Sequence, residues 1–432
     1  MKNIFKILTI LSVAIFSGTL VCGCHESYIS PDYVSPYDDV PYETIIEGVP
    51  VIMAMSDPFF VSVSRGMGAI ASDNTNREKA IFNVYSFLTN NSVYEGGPDY
   101  TRTYKVEEEL PENEPMYCLI DDPETGMGAQ MKLVGDDVLS YVSNERQYFY
   151  SQRNQDYKYN FFVYHIDDAE INGGVVREKD NIHMDIRIDG TQDIMYGAAD
   201  ITQKQISDVH KDQKWLLNRL YDKDLVFSTI TGHRAIHPVF EAKHAMSRFT
   251  FNLVGEDALK DQVYIQDIYV MAQRDWRLTV AADDKSKLGF PKPEEQGYVR
   301  EEEIHLCDDS GDNGGVPSLD NDKYIIRKGE VIPNLGGIGL LLPPRERYDL
   351  YIKCAYKAPN GKEYKYMARY NLTNRNEDTG KEEPFKAGCH YKVTMHVFGF
   401  SEIQMSFNGL SWGDPIDIPI GEDDIDFLPN YK

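Results

Sequence analysis

The stretch HYKVTMHVF at residues 390–398 alternates between polar and apolar side chains along almost its whole length. Successive side chains of a β-strand point to opposite faces of the sheet, so a period of two brings the members of each set together. One set is Tyr391, Val393, Met395 and Val397, and the other is Lys392, Thr394 and His396. The pattern predicts a strand with one buried face.

Other stretches are rich in Tyr, Phe, Val and Ile and are separated by clusters of Gly, Asn, Asp and Pro. They cover residues 80–88, 159–166, 183–188, 247–254, 263–272 and 348–356. The best helical pattern covers residues 204–221. Short strands separated by turn residues are typical of a sandwich or a closed sheet, so we expect an all-β fold with few short helices.

The N-terminal residues 1–23 have the composition of a secretory signal peptide. Lys2 and Lys6 precede an apolar run over residues 7–21, and Cys24 directly follows a glycine. A small residue before a cysteine at the end of such a run matches the bacterial lipobox and predicts lipid on Cys24. An ordinary cleaved signal peptide and a membrane anchor are the alternatives, but the run is shorter than the roughly 20 residues that span a bilayer.

The composition of the whole chain indicates how many domains it forms and which class of partner it does not bind. Of the 432 residues, 42% are hydrophobic, which allows a substantial core and is typical of two domains. The formal net charge is −25 and no basic stripe occurs, which argues against a nucleic-acid partner. A stretch with Gly, His and Pro at residues 231–238 indicates the boundary between domains over 66–238 and 239–432.

The cysteines beyond the lipobox are spaced too widely and irregularly for a zinc site. They are Cys118, Cys307, Cys354 and Cys389. An exported protein can form disulfides, so one hypothesis is a bond between Cys354 and Cys389 on neighbouring strands. The other hypothesis is four isolated thiols in the core.

A serine motif near the C-terminus lacks the context that catalysis requires. Residues 409–413, GLSWG, fit the pattern G-x-S-x-G of a nucleophile elbow. Pro415 and Pro419 follow at once and exclude the helix that this elbow needs. The sequence therefore predicts no catalytic residue and no enzyme.

Two groups of possible metal ligands also lack a suitable spacing. His233, His237 and His244 match no metal-binding pattern, and we interpret them as linker histidines. The acidic segment 307–322 matches no EF-hand, so we expect a solvated loop. The sequence predicts no metal site and no cofactor.

The two ends of the exported chain have the most distinctive patterns. Near the start, an extended apolar set alternates with a second set; the apolar set is Val49, Val51, Met53 and Met55, and the other is Pro50, Ile52 and Ala54. Arg65 and Gly66 follow, and a protease that cuts there would detach this strand. Near the end, residues 415–421 place Ile416, Ile418 and Ile420 on one face, and their prolines favour an edge strand or an added strand.

In the order of its motifs, most of the chain resembles the fimbrillins, the lipoprotein-derived pilus subunits of anaerobic Gram-negative bacteria. The motifs are the lipobox at Cys24, the step at Arg65 and Gly66, the strands at 80–88 and 159–166, DIMYGA at 193–198, FEAKHAMSRFTF at 240–251, GCHYKVTM at 388–395, and Trp412.

This resemblance implies two transthyretin-like β-sandwich domains and export to the outer membrane as a lipoprotein. It also implies that an arginine-specific surface protease cuts between Arg65 and Gly66, so that residues 24–65 form a pro-segment with a removable first strand. A strand of another fimbrial subunit would then fill the groove, with the isoleucines of segment 415–421 as the inserting face. Such a head-to-tail contact does not close, so it propagates a filament that supports adhesion.

Other interpretations of the same residues stay open. Arg65 is also consistent with a loop arginine without a role, and Arg77 is a second possible processing site. The C-terminal strand is also consistent with an edge strand that completes its own domain. For the whole protein, the alternative is a surface lipoprotein that does not polymerise, either a pilus anchor or a glycan-binding protein.

Overall fold

The computed structural model describes most of the chain outside its two ends. The described residues are 48–55, 80–89, 97–134, 138–142, 147–155, 157–208, 227–260, 262–291, 300–306, 324–375, 381–399, 402–411, 418–419 and 425–428. Within these ranges, no helix is both long and apolar enough to cross a membrane.

Strands dominate the secondary structure. The strands of the N-terminal part are β1 (Met53–Met55), β2 (Phe82–Leu88), β3 (Cys118–Ile120), β4 (Ala129–Val134), β5 (Val138–Tyr141), β6 (Tyr159–His165), β7 (Glu170–Arg177), β8 (Asn181–Arg187), β9 (Met195–Asp200), β10 (Val239–Phe240) and β11 (Lys243–His244). Those of the C-terminal part are β12 (Ser247–Gly255), β13 (Val263–Gln273), β14 (Asp275–Ala282), β15 (Glu301–His305), β16 (Ile325–Ile326), β17 (Val331–Leu342), β18 (Arg347–Lys357), β19 (Glu363–Arg375), β20 (Glu382–Glu383), β21 (Cys389–Gly399), β22 (Glu402–Ser411), β23 (Ile418–Pro419) and β24 (Ile425–Leu428). The helical elements are α1 (Gln203–Asp208), α2 (Thr229–His233) and the 3-10 turns η1 (Glu107–Glu109) and η2 (Lys285–Lys287). The described part of the chain is all-β with few short helices, as predicted.

The strands predicted from period two are confirmed. β2, β6, β8, β12, β13, β18 and β21 begin and end within two residues of the predicted limits. In β21, the predicted inner set of Tyr391, Val393, Met395 and Val397 is buried. The predicted helix over 204–221 begins as α1, and residues 209–226 lie outside the described residues.

Among the described residues, nine strands form the first sheet, which closes on itself. The order is β1-β5-β4-β2-β6-β9-β10, and β10 pairs with both β9 and β1, while β3 extends from β2 and β11 from β9. One hydrophobic core lies against this sheet and includes Val84, Phe161, Val163, Met195 and Phe240. β1 is therefore the strand that completes the ring.

A second sheet, β7-β8-β14, packs on the first sheet through a separate apolar cluster. The first sheet contributes Tyr85, Phe87, Phe162 and Tyr164 to this cluster, and the second contributes Ile182, Met184, Ile186, Trp276, Leu278 and Val280. Because Phe161 and Val163 belong to the first core and Phe162 and Tyr164 to this cluster, β6 is buried on both faces.

The remaining described strands form two sheets that share a third core. One sheet has the order β17-β12-β21-β22-β23, and the other is built on β15-β13-β18-β19-β20, with β16 on β13 and β24 on β19. Their shared core includes Phe251, Ile268, Ile352 and Val393. This part of the chain has two sheets around one core, and the finer description as transthyretin-like domains stays a prediction.

Strand pairing crosses the boundary that the sequence placed at residue 238. β10 and β11 follow this boundary in the chain, yet both pair with β9 of the first sheet. β14 lies still later and pairs with β8. The two halves of the chain share sheets, and the domain limits stay a prediction.

The disulfide hypothesis for Cys354 and Cys389 is not supported. Cys118, Cys354 and Cys389 are free thiols, and Cys307 lies outside the described residues. The hypothesis assumed neighbouring strands, but Cys354 lies on β18 and Cys389 on β21, which belong to different sheets. Burial raises the pKa of the Cys354 thiol to about 12, which keeps it protonated and unreactive.

Candidate functional site

Residues 48–55, here called the first-strand segment, lie in a slot of the first sheet. The strand slot is formed by β5, β10 and residues 148–150, all of which come later in the chain. The segment includes β1 and is the predicted removable strand.

The first half of the segment pairs antiparallel with residues 148–150. The Val51 N–H donates to the Tyr148 carbonyl at 2.9 Å, and the Tyr150 N–H donates to the Val49 carbonyl at 2.9 Å. Pro50 lies between these two bonds, where its missing N–H removes neither of them.

The second half of the segment has a partner on each side. β1 pairs antiparallel with β5, where Met53 is opposite Leu139, and parallel with β10, where Ala54 is opposite Val239. The Ala54 N–H donates to the Pro238 carbonyl at 2.9 Å. Loss of β1 would therefore leave two unpaired strand edges, and such edges favour the addition of another strand.

The apolar set of the segment is buried, as its period predicted. Val49, Val51, Met53 and Met55 are each at most 3% exposed and belong to the first core. Burial of each such side chain contributes about 1.5–3 kcal/mol, so the set contributes up to about 6–12 kcal/mol. This is comparable with the about 5–15 kcal/mol that stabilises a whole domain, so an empty slot would be strongly unfavourable.

Helix α2 covers the segment from one side. A Cβ atom on Gly232 would lie 2.7 Å from Tyr150 Cε2 and 3.0 Å from Val49 Cγ1, so only glycine fits there without movement. Ser228 caps the helix by accepting a hydrogen bond from the Thr231 N–H, and the Thr231 side chain bonds back to the Ser228 backbone. The cap fixes the turn that holds α2 against the segment.

Two motifs of the family resemblance meet where β9 pairs with β11. Asp193 Oδ1 and His244 Nδ1 are 2.8 Å apart, and both side chains are buried. β9 and β11 pair here, and Gly197 of β9 packs against the carbonyl group of Glu241. The motif at 193–198 therefore positions the connection between β10 and β11, and β10 in turn holds β1.

The interpretation of His233, His237 and His244 as linker histidines is wrong. They are 1%, 2% and 8% exposed, because α2 and β11 pack into the fold. Burial lowers the pKa of His237 to about 4, and it also lowers the pKa of His165.

His237 predicts acid sensitivity next to the slot. Between its folded pKa of about 4 and the usual value of about 6.5, the unfolded chain binds a proton at His237 that the folded chain does not. The free energy of unfolding should therefore fall as the pH falls through this window, by up to about 1.4 kcal/mol per pH unit for this group. Urea unfolding at about pH 7 and about pH 5 measures this slope, and His237→Gln should reduce it. An unchanged slope in that variant would contradict the assignment.

The structure describes little of the other predicted site residues. Cys24, Arg65, Gly66, Ile416 and Ile420 lie outside the described residues. Ile418 lies in β23, where its Cα is opposite that of Phe407 in β22.

The C-terminal strands pair with sheets of their own chain. β23 pairs with β22 over Ile418 and Pro419, and β24 pairs with β19, where Ile425 is opposite Tyr370 and Leu428 opposite Met367. This pairing matches the open alternative in which the C-terminal strand completes its own domain.

Sequence reasoning missed several residues that shape the slot. Ala54 belongs to the set opposite the apolar one, yet it is 0% exposed. Gly197, Gly232 and Pro238 form contacts that depend on distant segments. The one sequence feature that could have indicated the burial of Ala54 was its small size between larger neighbours.

Comparisons with known proteins return structures but no family. No family model and no curated protein matches the chain. A candidate cell adhesion protein from Parabacteroides distasonis has a TM-score of 0.42 at 9% identity, over 85% of this chain and 98% of that one. A second from Bacteroides uniformis has a TM-score of 0.39 at 9% identity, over 86% and 99%. The fimbrial anchor protein Mfa2 from Porphyromonas gingivalis has a TM-score of 0.28 at 11% identity, over 85% and 99%. The last of these is a fimbrial protein, and the superpositions assign no role to any residue of this chain.

Proposed function

We propose that the protein is a structural, non-catalytic subunit of a surface fimbrium. It is exported as a lipoprotein through Cys24, is held at the outer membrane, and is cut between Arg65 and Gly66 by an arginine-specific protease. The cut releases the first-strand segment, and a strand of another subunit takes its place. Repetition of this step builds a filament that supports adhesion.

One observation supports this function most strongly: β1 completes a closed sheet and is paired on both sides. Arg65 lies between β1 and β2 in the sequence, so a cut there would separate β1 from every other described strand. Main-chain pairing on both edges and the buried positions that four apolar side chains had filled would then be available to a replacement strand.

Arg65→Ala is expected to block processing. The variant should keep residues 24–65 and its lipid, whereas wild-type protein sheared from the cell surface should begin at Gly66 without lipid. Intact mass and N-terminal sequencing measure both. Arg77→Ala is the matched control and should be processed like the wild type.

Two outcomes would change this assignment. If Arg77→Ala blocks the cut and Arg65→Ala does not, Arg77 is the processing site. If the wild-type protein itself begins at a lipid-modified Cys24, the processing step is wrong.

A second candidate function is that of a pilus anchor, a lipoprotein that keeps its lipid and does not polymerise. The observation that favours it is the pairing of β23 and β24 with sheets of their own chain, because a donated strand would have to leave them. The same mass measurement separates the two functions.

A further inference from the structure

The strand slot selects its occupant at more than the four core positions. Ala54 is 0% exposed although it lies on the opposite face from Met53 and Met55. A larger side chain at this position would have to displace packed atoms, and a charged one would be buried. The occupant must therefore carry a small, uncharged residue here.

Hydrogen bonds to the main chain of the slot also restrict the positions at which the occupying strand can carry a proline. The Ala54 N–H donates to the Pro238 carbonyl, and the Val51 N–H donates to the Tyr148 carbonyl. A proline at either position would leave a buried carbonyl without its donor. At position 50 a proline is accepted, as the resident Pro50 demonstrates.

The C-terminal segment of this chain resembles the resident strand but conflicts with the slot at two positions. Residues 415–420, PIDIPI, align with residues 50–55, PVIMAM, so that proline meets proline and three isoleucines meet the core positions. In this register Asp414 takes the position of Val49, which is 2% exposed, so its carboxylate would be buried. Pro419 takes the position of Ala54. It lacks the N–H that bonds to Pro238, and its ring is larger than the alanine methyl group.

Shifting the segment by two residues removes both conflicts but creates another. If Gly421 takes the position of Ala54, Glu422 takes the position of Met55, which is 1% exposed. A shift in the other direction puts Asp417 at the position of Ala54. Each shift would bury an unpaired carboxylate.

The last strand, β24, does not fit the slot either. With Ile425 and Phe427 at the positions of Met53 and Met55, Asp426 takes the fully buried position of Ala54. A shift of two residues puts Leu428 at the position of Ala54 and Pro429 at the position of Met55.

We propose that Pro419, with the carboxylates of Asp414 and Glu422 on either side of it, keeps the C-terminal segment of this chain out of its own strand slot and out of the slot of any identical copy. The occupant is a strand of a fimbrial subunit other than this one, with large apolar residues at the positions of Val49, Val51, Met53 and Met55 and a small residue other than proline at the position of Ala54, so the proposed filament contains more than one kind of subunit. This inference rests on the proposed function, because it requires that the first-strand segment leaves.

Peptide exchange tests this inference. The full chain would carry a recognition site for a sequence-specific protease at the position of Arg65, and the cut protein would be offered labelled peptides. The probes are residues 48–55, the same peptide with Ala54→Pro or Ala54→Gly, residues 413–422, and the latter peptide with Pro419→Ala alone or with Asp414→Val and Pro419→Ala together. Fluorescence anisotropy gives each affinity, and mass spectrometry reports whether the original segment has left.

The resident peptide and its Ala54→Gly form should bind with similar affinity, and the Ala54→Pro form at least about tenfold more weakly, as loss of a buried hydrogen bond implies. Residues 413–422 should also bind at least about tenfold more weakly than the resident peptide; Pro419→Ala should recover part of that loss, and the double variant should recover most of it. Uncut protein should bind none of them.

Two results would overturn the inference in distinguishable ways. If the original segment leaves and residues 413–422 bind as well as the resident peptide, the selection against the C-terminal segment is wrong while the proposed function stands. If the original segment stays after the cut, the proposed function fails, and the inference fails with it.

Discussion

Replacing Met53 with aspartate is expected to lower the free energy of unfolding by at least about 4 kcal/mol. Met53 is 0% exposed and belongs to the first core, so the change removes a large apolar side chain and buries a carboxylate. Because a domain is stabilised by only about 5–15 kcal/mol, the uncut protein should be partly unfolded or should lose β1 from the slot. Urea unfolding followed by circular dichroism measures the change.

Ile52→Asp is the matched control for this variant. Ile52 is the neighbour of Met53, but its side chain is half-buried and lies outside the core. The same charge at position 52 should lower the free energy of unfolding clearly less than it does at position 53. Equal decreases in the free energy of unfolding of the two variants would contradict the inward orientation of Met53.

The same pair of variants also probes the first-strand segment after a cut. Met53→Asp should speed release of the segment from protein cut at position 65, and Ile52→Asp should have a smaller effect, because release exposes the Met53 position to water. Mass spectrometry of the cut protein over time measures the release. Identical release rates would mean that the core contacts of Met53 do not hold the segment.

Replacing Gly197 with valine is expected to lower the free energy of unfolding by about 3 kcal/mol or more. A Cβ atom at this position would clash with the Glu241 carbonyl oxygen and would lie 3.0 Å from the Glu241 carbonyl carbon and 3.1 Å from the Ala242 Cα. These are backbone atoms between β10 and β11, so they move only if both strands leave β9. Because β10 also holds β1, the damage should extend to the strand slot.

Ala198→Val is the control for this variant. Ala198 is the next residue of β9 and is half-buried. The same valine side chain should therefore lower the free energy of unfolding much less at position 198 than at position 197. Urea unfolding compares the two proteins, and limited proteolysis reports whether residues 48–55 become accessible. A Gly197→Val protein as stable as Ala198→Val would contradict the close approach of Glu241.

Much of the fold could be predicted from the sequence. The inner faces of β21 and of the first-strand segment follow from side-chain alternation, because the period of a strand is local and burial selects one face. The few short helices follow from the same local patterns. The burial of the apolar set in the first-strand segment was also predictable, since it alternates with a second set, whereas the roles of Arg65 and Gly66 stay predictions.

Other features depended on contacts between segments that are far apart in the chain. The hypothesis of a disulfide between Cys354 and Cys389 placed them on neighbouring strands, whereas they lie in different sheets. His233 and His237 looked like linker residues because their burial comes from the packing of α2, which their own sequence does not indicate.

By itself, the sequence determined that the chain folds into strands, which faces of those strands are apolar, and that the first-strand segment turns Val49, Val51, Met53 and Met55 inward. The tertiary structure decided which strands flank that segment, that it runs parallel to β10, and that Ala54 is enclosed as fully as the core. The physical reason is that alternation specifies which face of a strand is buried, whereas the neighbour, its direction and its register depend on the packing of segments from both halves of the chain.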